Sequence, residues 1–129
     1  MVPKFRGKTI KGLLVVGYVS VVTDKRAGVE PGTYISNSVG FPFAYEVDPK
    51  TVGQSTGLKD KNGAEIYCGD AVEWLGHRGI VEFVLNNQQT MIIGASGYIT
   101  DLDYSTDFNT EVIGNIHENP KILGQTNEI

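Results

Sequence analysis

What this 129-residue chain lacks narrows it quickly. It has one cysteine, Cys68, so no disulfide forms within the chain and nothing implies an oxidising compartment. It has only five alanines and seven leucines, the residues that lead the helix scale, which argues against a helical bundle. No apolar run approaches the length of about 18 residues that a spanning helix needs. In their place stand 14 Val, 11 Ile and 10 Thr, with 16 Gly. Stiff β-branched side chains suit a pleated sheet, and glycines suit its turns. At 40% hydrophobic and 20% charged residues the chain can build a core rather than remain disordered. Its length suits a single domain over 1–129.

Positive charge is scarce outside one place. Through Arg26 six cations (Lys4, Arg6, Lys8, Lys11, Lys25 and Arg26) face the single anion Asp24. The remaining residues hold five cations and 14 anions, so the whole chain carries −4. A basic arm can meet phosphate, and Lys4, Arg6, Lys8 and Lys11 are its candidate nucleic-acid contacts. The competing reading packs the arm, within or between subunits, against its own acidic remainder. The net negative charge repels polyanions and favours that second reading. The same four cations precede the apolar run Leu13–Val22 and imitate a signal peptide. That run is rich in Val, broken by Gly17 and Ser20, and lacks a small-x-small cleavage site. The expectation is a cytoplasmic protein with no membrane segment.

Along the chain, Phe5 to Ile10 reads as a short strand. Leu13–Val22 is too continuous for a one-sided strand and predicts either a strand covered on both faces or two halves bent at Gly17. Residues 23–32 and 36–40 read as loops, the second a mobile one, and Phe43–Val47 as a strand. Asp48-Pro49 resembles a helix start of about one turn, with Asp as cap and Pro in first position. Asn62-Gly63 predicts a type I′ hairpin turn, and Gly69-Asp70 a further reversal. Ala71–Leu75 and Gly79–Leu85 alternate as strands joined by Gly76-His77-Arg78. Thr90–Ile93, Gly97–Thr100 and Glu111–Ile116 complete the set, and residues 120–129 read as a loose tail. Many short strands at this spacing predict a mostly β fold: a small pseudo-barrel or folded antiparallel or mixed sheet, with at most one or two short helical turns.

One block is distinctive: Val47-Asp48-Pro49-Lys50-Thr51-Val52-Gly53-Gln54-Ser55-Thr56-Gly57-Leu58-Lys59-Asp60-Lys61-Asn62-Gly63, continuing through Glu65-Ile66-Tyr67 and Gly69-Asp70. With the opening Lys4-Phe5-Arg6-Gly7 and the closing run Glu111 to Pro120, it closely resembles the YopX family. Those are small proteins encoded by bacteriophages and prophages of low-GC Gram-positive bacteria. Departures are local: Ser55 stands where an aromatic is common, Cys68 where an acid is usual, and His117 where Tyr is usual. The segments 20–45 and 86–110 align with nothing in that pattern. The resemblance implies a mostly β fold of pseudo-barrel character; it implies no catalytic residue and no cofactor. The motif glycines are explained equally by tight turns, which need positive φ.

Five chemistries are weighed on the residues. Gly53-Gln54-Ser55-Thr56-Gly57 has three residues between its glycines where a phosphate loop needs four, and a hairpin follows instead of a helix. Asp101, Asp103, Ser105, Asp107 and Asn109 alternate like calcium ligands, but Thr106 and Val112 stand where an EF-hand needs Gly and Glu, so a solvated loop is expected. Cys68, His77 and His117 have no zinc spacing, and Cys68 reads as a packed side chain rather than a nucleophile. The run from Ile66 to Phe83 also resembles a small SH3-like barrel. There Tyr67, Trp74 and Tyr98 could stack bases and Arg78 supply charge. Alternation along Ala71–Leu75 sets Val72 and Trp74 on one face and points Trp74 inward.

The expected protein is therefore a phage or prophage accessory protein in the host cytoplasm, without enzymatic activity, cofactor or metal. It is expected to work as a self-associating interaction module, a homo-oligomer able to meet a host or phage protein. The alternative is nucleic-acid binding through Lys4, Arg6, Lys8 and Lys11.

Overall fold

The computed structural model describes residues 4–25, 27–37, 44–86 and 88–117. The expectations placed on Arg26, Ser38–Gly40, Phe43 and the tail 120–129 lie outside these residues. The chain divides into two compact units, Met1–Ser55 and Thr56–Ile129. Strand makes up 63% of the structure and the sheets are antiparallel, as the β-branched composition leads one to expect.

The first unit holds β1 (Phe5–Lys8), β2 (Leu14–Val22), β3 (Gly32–Ser36) and the larger part of β4 (Tyr45–Lys59). β1 pairs with β2, β2 with β3, β3 with β4, and β4 returns to β1, so four strands form a closed ring of pairings. Inside lie Val15, Ile35 and Val47, with Phe5, Val19, Tyr45 and Val52 packed against them. Gly17 permits the closest approach. A Cβ there would sit 2.1 Å from the Ser36 carbonyl oxygen, so any side chain at this position would force β2 and β3 apart.

Two expectations are corrected here. β2 is one continuous strand, neither bent in two nor covered on both faces: Val15 is buried while Val16 and Tyr18 are exposed. Its apolar outer face escaped a reading based on alternation because Val and Tyr look like core residues wherever they stand. Asp48-Pro49 starts no helix, and β4 runs through it. The cap-like chemistry is nevertheless present. The Asp48 carboxylate accepts from the Lys50 amide at 3.0 Å, and the Thr51 hydroxyl donates to the Asp48 carbonyl at 2.6 Å. The Thr51 oxygen also accepts from the Lys8 amide of β1 at 2.8 Å. Register shifts at this point, with Arg6 opposite Gly53 but Lys8 opposite Asp48. A turn-forming sequence is thus held inside a strand as a bulge.

The second unit holds the end of β4, β5 (Glu65–Tyr67), β6 (Asp70–Trp74), β7 (His77–Val84), β8 (Gln89–Gly94), β9 (Gly97–Asp101), a 3-10 turn at Asp107–Asn109 and β10 (Thr110–Asn115). The five later strands form a sheet in the order β10-β6-β7-β8-β9. Leu58, Ile66, Val72, Val81, Ile92 and Leu102 form its core, against which Trp74, Ile99 and Val112 pack. Trp74 faces inward, as alternation requires. Ala71 and Ile80 form a smaller cluster with Ile113 and Ile116.

The hairpin from β4 to β5 is present, but its turn is of another type. Gly63 has φ of +86°, whereas Asn62 is not in the left-handed region that type I′ demands. Asp60 explains the difference. Its backbone closes the turn through Gly63 N–H to Asp60 C=O at 2.9 Å. Its carboxylate accepts from the amides of Asn62 and Ala64 at 2.9 and 2.8 Å. The type I′ turn belongs instead to Leu75 and Gly76, with φ of +48° and +85°, between Trp74 and its partner His77. His77 and Arg78 therefore start β7 rather than the loop.

The second oxygen of Asp60 accepts from the Val112 amide of β10 at 2.8 Å, and the Lys61 amide donates to the Thr110 carbonyl at 2.9 Å. One carboxylate, only 6% exposed, thus joins the turn to the sheet edge. Replacing Asp60 with Ala leaves three amides without acceptors and should lower unfolding stability by about 2–4 kcal/mol. Urea denaturation measures this, with Asp60→Asn, which keeps one acceptor oxygen, expected to lose less.

Candidate functional site

The four cations of the basic arm occupy β1 and its flanks. Phe5 and Gly7 turn inward, so Arg6 and Lys8 share the outward face of β1, while Lys4 and Lys11 are exposed at either end. Arg6 lies opposite Val16 and Lys8 opposite Leu14 on β2. On the other side Lys8 stands directly across from Asp48. The turn joining β1 to β2 is ordered: Thr9 N–H donates to Leu13 C=O, and Gly12 N–H to Thr9 C=O, both at 2.9 Å. It carries Ile10 at 88% exposure and Leu13 at 53%.

The second unit has a cleft at one end of its sheet, cut between two hairpin tips. One tip is Leu75-Gly76 and the other is Ala95-Ser96, between Gly94 and its partner Gly97. The cleft measures about 510 Å³ and is walled by Trp74, His77, Arg78, Tyr98 and Ile99 with the small residues of both tips. Its volume falls within the usual range for small-molecule sites. Trp74 and His77 are a cross-strand pair on the core side, with ring centroids 6.3 Å apart and planes 28° apart. Arg78 pairs with Glu73 and Tyr98 with Ile93, which sets both on the other side of the sheet. The Tyr98 hydroxyl donates to Asp101 at 3.1 Å. Within the cleft lining Arg78 is the permanent cation, and no carboxylate contributes.

Of the residues expected to offer stacking surfaces and charge, Trp74, Tyr98 and Arg78 are brought together here. Tyr67 is not: it is 6% exposed and belongs to the interior. Sequence reasoning named those three without seeing the cleft. Its one local signal was a glycine at each of two hairpin tips, and the neighbouring placement of β7 and β8 is what brings the tips side by side.

The remaining candidates are dispersed. Among the described residues no three of His, Cys, Asp and Glu cluster as metal ligands. In the loop after β9, Asp103 accepts from the Ser105 amide and hydroxyl at 2.8 and 2.5 Å. These bonds hold its carboxyl below the usual range. Thr106 donates to the Asp101 carbonyl at 2.8 Å, so the Asp103 and Ser105 side chains and the Asp101 carbonyl are engaged within the loop itself. Cys68 sits in the turn between β5 and β6. Burial pushes its thiol up, and the carboxylates of Asp70 and Glu82 add to the effect.

Fold and cleft together define a small all-antiparallel β protein of two sheet units. The pattern of the YopX protein family matches residues 10–124, and the chain belongs to that family. It is similar to a solved structure, the crystal structure of protein EF1440 from Enterococcus faecalis, at 27% identity and a TM-score of 0.51. The match covers 95% of this chain and 99% of that one. Among curated proteins none matches the sequence. No helix among the described residues is long and apolar enough to cross a membrane.

The raised Cys68 thiol makes a direct prediction. Because only the thiolate is nucleophilic, alkylation by iodoacetamide near pH 7 should run slower than for free cysteine. The rate should keep climbing with pH beyond the point where the free thiol levels off. A rate profile centred at or below that of free cysteine would contradict the electrostatic account.

Proposed function

We propose that this chain is a non-enzymatic, self-associating interaction module of bacteriophage or prophage origin, acting in the host cytoplasm. The observation that carries the reading is that its two compact units bear opposite charge. Met1–Ser55 holds seven Lys and Arg against four Asp and Glu, whereas Thr56–Ile129 holds four against eleven. The basic unit of one copy is electrostatically complementary to the acidic unit of another, and such pairing is head-to-tail, the kind that closes rings or extends filaments. The ordered, solvent-facing Ile10 and Leu13 beside Lys8 and Lys11 supply apolar area of the kind that marks a contact surface. The absence of carboxylates from the cleft lining and the raised Cys68 thiol fit a binding role better than a hydrolytic one. Phage origin follows the family's usual setting.

Sedimentation over a range of protein concentrations tests the association. Oligomers should form at about 50 mM salt and weaken at about 500 mM, where charges are screened within a few ångströms. A monomer at both would overturn the reading. A second reading has an observation of its own: Arg6, Lys8 and Val16 share the outward wall of the ring, with Tyr18 two residues further along β2. This is the combination of cations and ring faces that single-stranded nucleic acid uses. It requires a mobility shift at about 50 mM salt that fades steeply as salt rises, and no shift removes it.

A further inference from the structure

We infer that the β1–β2 hairpin tip of one copy docks on the loop between β9 and β10 of a second copy. The inference rests on the self-association proposed above and names the two surfaces that meet. The tip is an ordered turn that carries Ile10 and Leu13 into solvent, with the exposed Lys11 between them. Its shape is fixed by Gly12, at φ of +88°, and by the Thr9 hydroxyl, which accepts from the Leu13 amide at 3.1 Å. No Asp or Glu precedes Asp24 in the chain, so the segment that forms the tip carries positive charge alone.

The loop is its counterpart in the acidic unit. Leu102 is buried at one end of it and Thr110 at the other. Between them the Asp103 carbonyl accepts from the amides of Thr106 and Asp107 at 3.1 and 3.0 Å. The Thr106 carbonyl accepts from the Asn109 amide and the Thr110 hydroxyl at 3.2 and 2.9 Å. A backbone held this closely loses little further freedom on binding. It nevertheless keeps Tyr104 81% and Phe108 62% exposed, four residues apart over successive turns. Aromatic side chains on a rigid support are the kind that anchor interfaces. Asp103 and Asp107 each directly precede one of these rings, and no Lys or Arg occurs between Arg78 and Lys121. Lys61 answers Glu111 at 3.6 Å, beyond the loop. Other exposed apolar residues of this unit match the tip less well. Leu75 is followed closely by His77 and Arg78, and the carboxylate nearest Phe83 in sequence, Glu82, alternates to the other face of β7. Ile10 and Leu13 therefore meet Tyr104 and Phe108, while Lys11 meets Asp103 and Asp107. Each copy offers one surface and receives the other, so the contact is heterologous.

Charge reversal tests the contact on the full chain. Lys11→Glu and Asp107→Lys each set like charges across it and should weaken association roughly tenfold or more at about 50 mM salt. Mixed in equal amounts, the two variants should associate again, because the reversed tip of one fits the reversed loop of the other. That rescue separates loss of the contact from loss of fold. Ile10→Ser, at an exposed position, should weaken association with no change of charge. Backbone amide resonances of residues 9–13 and 103–109 should move together as protein concentration rises from about 10 μM to about 1 mM. A chain that stays monomeric would remove the self-association and this inference with it. Oligomers unaffected by all three variants, a mixture without rescue, or resonances that move elsewhere would overturn the inference alone and leave self-association standing. Tip resonances might instead stay still on concentration and move with vesicles of phosphatidylcholine and phosphatidylserine at about 7:3, or with a short single-stranded oligonucleotide. Either result would assign the tip to a lipid surface or to nucleic acid and overturn the inference.

Discussion

The second unit depends on the carboxylate of Asp60. A buried charge is costly unless it is fully hydrogen-bonded, and this one accepts three backbone amides from two distant stretches of chain. Two of those bonds shape the turn after β4. The third reaches 52 residues ahead to Val112, on the strand that begins the five-stranded sheet. Hydrogen bonds to an ionised acceptor are stronger than neutral ones. A single side chain therefore sets both the conformation of a hairpin and the place where the last strand docks. The first unit is governed by a steric constraint instead: Gly17 must lack a side chain for β2 and β3 to meet.

How much of this was legible in the sequence follows from which forces act locally. Strand content came from β-branched composition, and the turns at Gly63 and Gly69 from residues that tolerate positive φ. Trp74 pointed inward by simple alternation. The failures are equally physical. Asp48-Pro49 carries the chemistry of a helix cap, and the structure uses that chemistry, but pairing of β4 with β1 and β3 overrides the helix. At Asn62-Gly63 the dipeptide rule yields to a carboxylate two residues earlier, while Leu75 accepts a left-handed conformation that no propensity scale assigns to leucine. How contacts divide into two compact units is a long-range property that neither length nor composition carries.

The site followed the same pattern. Arg78, Trp74 and Tyr98 could be singled out as chemically capable, but their convergence depends on β7 lying beside β8, and Tyr67 was separated from them only by burial. The charge asymmetry was visible as a basic start and an acidic remainder. The structure relates it to architecture, since the larger part of that start forms the ring while the acidic residues gather in the sheet unit. The arm is not a bare polycation either, because register places Asp48 across from Lys8 within the same ring.

The ring of the first unit has a further consequence. A sheet that ends in an unpaired strand invites another chain to extend it through main-chain hydrogen bonds, with little regard for sequence. Where β1 fills the gap between β2 and β4, both of its sides are already engaged. That stretch cannot be lengthened by a stranger's backbone. Whatever meets it must be recognised through side chains projecting from the wall, which makes recognition there dependent on sequence and exposed to change by single substitutions.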